Sequence, residues 1–380
     1  MLCAVCKGKG LCGLARCPIT ARFSCLASTR PVTTYAGLAP SVFIGSSGYT
    51  SVRGGPLLVN DSDLPPDWLR QGFGIEDIVR LRSETIRGTS SVTPYLGPIQ
   101  EIALAPRPVT VEALFDRPVR FNPDFDQVTA PVGRSASISR LEILDHPGTD
   151  RAVEKAVSDT DLPAAEACGM LHRSGIDVYR ITPLFTAGLL GRKRRIVPTR
   201  WAITAVDDSV SAAQKRELSR FSKVQEIRLH CSELFGNRIA VILIPGDWRY
   251  EMIERWGPGS LWAGETGTVV RDGEALKKTG YSPITGAYYS ARLAVTEHLV
   301  RAQRCARAII IRNVDPGYWA PLGTWVVREA ARRAMENEPL LVPSLDEATR
   351  QAGLLTGFFD WTRYSTLIPE IRWQKTLSDF

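Results

Sequence analysis

Four cysteines open the chain in the pattern Cys3-x2-Cys6-x5-Cys12-x4-Cys17. Four thiolates in one short segment can wrap a tetrahedral ion, and Gly8, Gly10 and Gly13 let the backbone turn tightly enough between them. Lys7, Lys9 and Arg16 offset the cost of gathering negative sulfur. The first reading is a structural zinc knuckle over residues 1–30, held by Cys3, Cys6, Cys12 and Cys17. An iron–sulfur cluster uses the same ligands and stays open as an alternative. A closed four-Cys site has no vacant coordination position, so no reaction is expected at the ion. Cys168, Cys231 and Cys305 lie singly among apolar neighbours and read as inert core residues.

Carboxylates, arginines and aromatic rings supply the other chemistry. Residues 196–206, Ile-Val-Pro-Thr-Arg-Trp-Ala-Ile-Thr-Ala-Val, alternate in the manner of a strand, with Thr199 and Trp201 on one side and Arg200 on the other. Asp207 and Asp208 then fall where that strand ends, the place where open α/β sheets gather their sites. With Asp159 and Asp161 upstream, four carboxylates are available as catalytic groups around a phosphate or a divalent ion such as magnesium or manganese. Asp161 and Asp208 serve equally well as helix caps. Tyr288, Tyr289 and Arg292 share a helix face and offer base stacking plus a phosphate contact, or plain helix packing. Arg328 follows the aromatic segment Tyr318 to Trp325 in the same spirit. Arg192, Lys193, Arg194 and Arg195 form the one block of like charge. The glycine-rich stretch from Gly45 to Gly55 has the composition of a phosphate cradle without matching a phosphate-loop or dinucleotide fingerprint. The histidines, at 146, 172, 230 and 298, form no metal-type pair in sequence.

The elements that must position these groups follow from periodicity. With 380 residues, 44% of them hydrophobic, the chain can build roughly two to three domains or one large one with appendages. Residues 31–66, rich in Gly, Ser and Pro, read as a structured loop region with an apolar island at 41–45. A helix is expected over 75–87 and strands near 101–104 and 109–114. Asp161 is expected to cap a helix that runs to Arg173 and stops at Gly175. Residues 176–181 read as a strand, 209–223 as an amphipathic helix, and 226–230 with 238–244 as two strands around a turn at Gly236 and Asn237. A long helix over 287–307, a buried strand over 308–312 and a helix over 322–337 complete the pattern. The hairpin argues against a purely parallel sheet, so the expected class is α+β: a mixed-sheet core over 31–370, with a possible subdomain break near 150. No internal repeat or low-complexity segment interrupts it.

The net charge of +7 favours polyanionic partners such as DNA. No segment approaches the ~18 consecutive apolar residues of a membrane helix, and the N-terminus lacks the apolar stretch of a signal peptide. A cytoplasmic protein without a membrane partner is expected.

Taken in order, several segments resemble the archaeal Nre family of DNA-repair proteins. They are the cysteine segment ending Cys17-Pro18, Pro40-Ser-Val-Phe-Ile-Gly45, Asp159-Thr-Asp-Leu162, Val197-Pro-Thr-Arg-Trp201 with Ile203-Thr-Ala-Val-Asp-Asp208, Tyr288-Tyr289 with Ala291-Arg-Leu293, Pro321-Leu-Gly-Thr-Trp325 and the tail Gln374 to Phe380. The resemblance spans nearly the whole chain and implies work in DNA-damage repair and binding to the sliding clamp PCNA. The tail has the Gln-x-x-aliphatic-x-x-aromatic spacing of a clamp-binding peptide. In one 3₁₀ turn, residues three apart stack, so Leu377 and Phe380 make one apolar plug while Gln374 supplies donor and acceptor. Residues 371–380 are therefore expected to be a flexible clamp-binding tail. Two functional readings follow: a core that binds DNA ends or nucleotides and hydrolyses a phosphoester such as a nucleotide adduct, and a non-enzymatic damage-binding adaptor linking the clamp to other repair proteins. The Ser46-Ser47 pair lacks a basic residue ahead of Gly48-Tyr49, which weakens a phosphate role for that loop.

Overall fold

The computed structural model describes residues 16–27, 31–91, 96–120, 133–263, 266–275 and 277–373. Cys3, Cys6 and Cys12, expected to form a knuckle, and Gln374, Leu377 and Phe380, expected to bind the clamp, lie outside them. Packing divides the chain into two compact units. One comprises the residues up to Val210 together with Ala320–Leu322, and the other comprises Ser211–Trp319 with the residues from Gly323 onward. The division falls inside a helix, after Val210, and not near 150.

Unit 1 is built on a six-stranded sheet. Helix α1 (Pro18–Ala27) precedes β1 (Val32–Ala39), β2 (Ser41–Ile44) and β3 (Arg53–Leu58). Helices α2 (Pro65–Arg70) and α3 (Ile75–Glu84), strand β4 (Ile86–Ser91), helix α4 (Leu96–Leu104) and strands β5 (Val109–Val119) and β6 (Arg134–Ile143) follow. The strand order is β1-β5-β6-β4-β3-β2. Only the β4–β6 pair is parallel. Strand β5 shows why the sheet forms: Val109, Val111, Ala113 and Phe115 are buried while the residues between them face outward, the period of a half-covered sheet. The region 31–66, expected to be loop, is thus largely strand. Its glycines mislead because they lie inside β3: a side-chain carbon on Gly54 would come within 2.4 Å of Ile44 Cδ1, and one on Gly55 within 2.3 Å of the Gly88 carbonyl. Residues 101–104 are the end of α4, whose buried Ile99, Ile102 and Ala103 have helical spacing.

Helices α5 (Arg151–Ser158), α6 (Ala164–Arg173) and α7 (Val178–Thr186) lead to α8 (Thr199–Leu218). Two strand expectations fail here. Residues 176–181 enter α7, because Asp177 accepts a hydrogen bond from the Tyr179 N–H and Val178, Ile181 and Leu184 supply a buried stripe. Residues 196–206 become the start of α8. Pro198 accepts from the N–H groups of Trp201 and Ala202, and Ala202, Val206, Val210, Gln214 and Leu218 form a buried row four residues apart. That row outruns the short alternation read as a strand.

Unit 2 carries the end of α8 from Ser211, then β7 (Ser222–Lys223), β8 (Ile227–Leu234), β9 (Asn237–Ile244), β10 (Arg249–Trp256) and β11 (Thr268–Glu274). Helix α9 (Gly286–Ala302), strands β12 (Arg304–Cys305) and β13 (Arg307–Val314), helix α10 (Trp325–Glu336), strand β14 (Leu340–Val342) and helices α11 (Leu345–Thr356) and α12 (Leu367–Trp373) complete it. The main sheet runs β11-β10-β13-β9-β8-β14, again mixed, with β10 and β13 parallel. The expected hairpin is β8 and β9, turning at Phe235 and Gly236, which both have positive φ. Strand β9 reads Ile-Ala-Val-Ile-Leu-Ile from Ile239 and is buried throughout, the unbroken pattern of a strand covered on both faces. Ala240, Ile242 and Ile244 pack with Ala348 and Ala352 of α11 and Leu367 and Ile368 of α12. The architecture is α+β in both units.

Candidate nucleic-acid interface

The segment between α7 and α8 carries the basic block, and hydrogen bonds sort its members. Arg194 turns inward: its guanidinium donates to the carbonyls of Leu189, Val157 (2.5 Å) and Asp159 (3.2 Å). Arg192 Nε donates to the Asp161 carbonyl at 2.6 Å. Two glycines allow this close packing. A side-chain carbon on Gly191 would lie 2.7 Å from Ala164 Cβ, and Gly188 sits at φ 69° against the Arg194 and Arg195 backbone. Lys193, Arg195 and Arg200 are exposed and make no ion pair among the described residues, and Arg192 remains exposed while holding its carbonyl.

The carboxylates behave differently from one another. Asp159 ends α5, and its Oδ1 accepts from the N–H groups of Asp161 (3.0 Å) and Leu162 (2.9 Å), so it shapes the turn into α6. Pro163 precedes α6 where Asp161 was expected to cap it. Asp207 and Asp208 lie within α8 and not at a strand end; Asp207 is fully buried and Asp208 half-buried. Among the described residues no group of three or more His, Cys, Asp or Glu side chains is gathered to hold a metal ion. Cys17 is half-buried, its carbonyl accepting from the Ala21 N–H at the start of α1.

At the first turn of α8, Thr199 Oγ1 accepts from the Ile44 N–H at 2.9 Å and so ties the end of β2 to the helix start. This hydrogen bond brings Tyr49, in the turn after Gly48, against Trp201, with ring centroids 5.1 Å apart. Both rings are exposed. Sequence reading singled out Trp201 but not Tyr49 as a site residue, because nothing local couples positions so far apart in the chain. Exposed rings suit bases and exposed guanidinium and ammonium groups suit phosphates, so these residues are the candidates for a nucleic-acid contact.

In unit 2 the residues singled out from sequence, Tyr288, Tyr289, Arg292 and Arg328, are core. Arg292 is fully buried; its guanidinium donates to Glu274 Oε2 at 2.6 Å and to Ser211 Oγ at 2.9 Å, and lies over the Tyr288 and Tyr289 rings. Tyr288 donates to the same carboxylate at 3.2 Å, and Lys215 pairs with its other oxygen. Burial pushes the Tyr288 phenol far above its usual range. Arg312 repeats the design with Glu254, Asn237 and the Trp256 ring. Arg328 is buried in α10. Glu274, Glu254 and Lys215, the partners that make these arginines core residues, went unnoticed in the sequence because each lies far along the chain from the group it neutralises. Cys168 and Cys305 are buried, and burial raises the Cys168 thiol to about 12. Cys231 is half-buried.

Comparison with known proteins adds the lineage. The description "Archaeal Nre, N-terminal" matches residues 11–263, and "Archaeal Nre, C-terminal" matches residues 274–380. The chain is 34% identical over 374 residues to DNA repair protein NreA of Archaeoglobus fulgidus, covering 94% of this chain and 95% of that protein. It is 36% identical over 360 residues to DNA repair protein NreA of Haloferax volcanii, covering 88% and 86% respectively. Against DNA repair protein NreB of Archaeoglobus fulgidus it is 34% identical over 401 residues, covering the whole of both chains. No solved structure matches it. With both halves of the chain matched and relatives aligned nearly end to end, the chain belongs to the archaeal Nre family.

Proposed function

We propose that this protein works in DNA repair by binding DNA through the face of unit 1 at the start of α8, and that its tail brings it to the sliding clamp PCNA. The relatives' names support the repair role. The observation that carries DNA binding is the set Arg192, Lys193, Arg195 and Arg200, exposed and without carboxylate partners among the described residues, within ten residues of the exposed Trp201 in sequence. Paired surface cations have their charge spent locally, whereas unpaired ones are available to displace counterions from phosphates.

Gln374, Leu377 and Phe380 are the proposed clamp-binding residues, and Cys3, Cys6, Cys12 and Cys17 the proposed zinc ligands. The placement of Asp159 in a turn, and of Asp207 and Asp208 within a helix, favours an adaptor that recognises DNA and recruits other repair proteins over a phosphoester hydrolase. Neither magnesium nor manganese is needed in that reading.

The test is DNA-binding affinity measured by fluorescence anisotropy across a salt series. The triple reversal Lys193→Glu, Arg195→Glu and Arg200→Glu is expected to flatten the slope of log affinity against log salt by about 0.9 for each phosphate no longer neutralised. An unchanged slope refutes the assignment. In the same preparation, truncation before Gln374 is expected to abolish clamp binding and leave DNA binding intact. Equal clamp affinity after truncation refutes the tail's role.

A further inference from the structure

We propose that Tyr49 and Trp201 form a stacking platform for an unpaired base in a DNA strand. This deepens the DNA-binding reading and rests on it: it specifies which form of DNA the face accepts.

Each residue is 46% exposed, and these are the exposed Phe, Tyr or Trp residues among the described residues of unit 1. The contrast with Trp68 in the same unit is informative. Trp68 is wholly buried and its indole N–H donates to the Ser62 carbonyl at 2.6 Å, as a core tryptophan does. Tyr49 and Trp201 leave much of their surface in water, where an apolar ring has an unfavourable free energy that any stacking partner would relieve.

The backbone that carries both rings is nevertheless held. Trp201 stands in the first turn of a 20-residue helix, its backbone N–H donating to the Pro198 carbonyl at 2.9 Å. Tyr49 follows Gly48, whose φ of 72° sets the turn, and the adjoining Gly45 N–H donates to the Arg53 carbonyl at 2.8 Å. The Thr199–Ile44 hydrogen bond fixes one segment against the other. The rings meet edge-on at 62°, an arrangement that stabilises the pair and covers at most one face of one ring. With each residue 46% exposed, ring surface remains open to a base, and the contact between the rings restricts their motion before the base arrives.

Charge and shape together select the occupant. Arg200 adjoins Trp201 in the chain, and Lys193 and Arg195 lie just before the helix, all exposed and unpaired among the described residues. These groups suit a phosphodiester backbone. In duplex DNA the base faces are covered by their neighbours, so an exposed ring gains little from an intact helix. A base in a single strand, a gap or a flipped state presents its face.

The experiment measures affinity for a labelled oligothymidylate, for the same backbone carrying abasic sites, and for a blunt duplex, with free thymidylate as competitor. Wild-type protein is expected to prefer the base-bearing strand over the abasic one by about tenfold, the scale of one stacked base. Trp201→Ala is expected to erase that preference while keeping the salt slope that the cations set. Trp201→Phe is expected to retain most of it, and Tyr49→Ala to lose part of it. Equal wild-type affinity for base-bearing and abasic strands overturns the proposal without use of any variant, as does a Trp201→Ala protein that keeps the preference. Competition by free thymidylate at concentrations near the strand's Kd overturns it in favour of a nucleotide site. Absence of binding to every DNA at low salt removes the DNA-binding reading itself, an outcome distinct from the others.

Discussion

The arginines around α8's first turn and those at the centre of unit 2 look alike in sequence and differ in surroundings. Arg192, Arg195 and Arg200 face solvent without a carboxylate partner among the described residues. Arg292 and Arg312 are sealed from water, each with a glutamate and a further side-chain acceptor. A charge removed from water must be compensated on the spot, so a buried arginine is bound to its neighbours and to the fold. An exposed, uncompensated one is free to meet a ligand. The comparison teaches that an arginine beside tyrosines is a poor guide to binding until its counter-charge has been located.

The largest effect expected from breaking this comparison is at Arg292. Replacing it with Met leaves Glu274 buried with Lys215 as its remaining cation, and unfolding stability is expected to fall by about 3–5 kcal/mol. Denaturant unfolding measures it, and a loss below about 1 kcal/mol would show that the guanidinium is dispensable there.

A smaller effect is expected at a different kind of buried group, one kept uncharged. His230 and His298 lie with ring centroids 5.2 Å apart. Burial, with His298 alongside, pushes His230 down to about 4, and burial also lowers His298. In the unfolded chain a histidine takes up its proton near pH 6.5. The folded state therefore binds fewer protons than the unfolded one between about 6.5 and about 4, and stability is lost as pH falls through that window and levels off below it. The loss is expected to be of order 3 kcal/mol for His230. Unfolding followed from pH 7 to pH 4.5 should show a shallower decline in His230→Gln than in wild type, and identical declines would show that this histidine stays neutral in both states.

The smallest stability effect belongs to the exposed set. Lys193→Ala is expected to change unfolding stability by less than about 0.5 kcal/mol, while weakening DNA binding at low salt. A large stability loss would place Lys193 with the structural arginines.

Much of unit 2 was legible from sequence. The β8–β9 hairpin, the apolar β13 and the helix containing Trp325 to Glu336 carry strong local signals. The start of α8 was not, because Thr199 to Ile203 alternate well enough for a strand, and the four-residue row that marks a helix continues only as far on as Leu218. The strands of 31–58 were hidden by glycines whose role is close strand packing. For the candidate interface, the basic block and Trp201 stood out by type. Which of the cations face water, that Arg194 is occupied by carbonyls, and that Tyr49 meets Trp201 all depend on the approach of distant segments, which no local pattern encodes.

Strand β9 has a consequence for handling the protein. Ile239 to Ile244 is an uncharged, β-prone hexapeptide, safe while β13 and β8 flank it and helices cover it. Released by partial unfolding, such a segment is a template for intermolecular cross-β stacking. Arg238 before it and Pro245 after it are placed as gatekeepers, one adding charge and the other unable to donate to a ladder. Acid conditions or loss of the Arg292–Glu274 pair are thus expected to end in aggregation rather than in soluble unfolded chains, and light scattering during unfolding would record it.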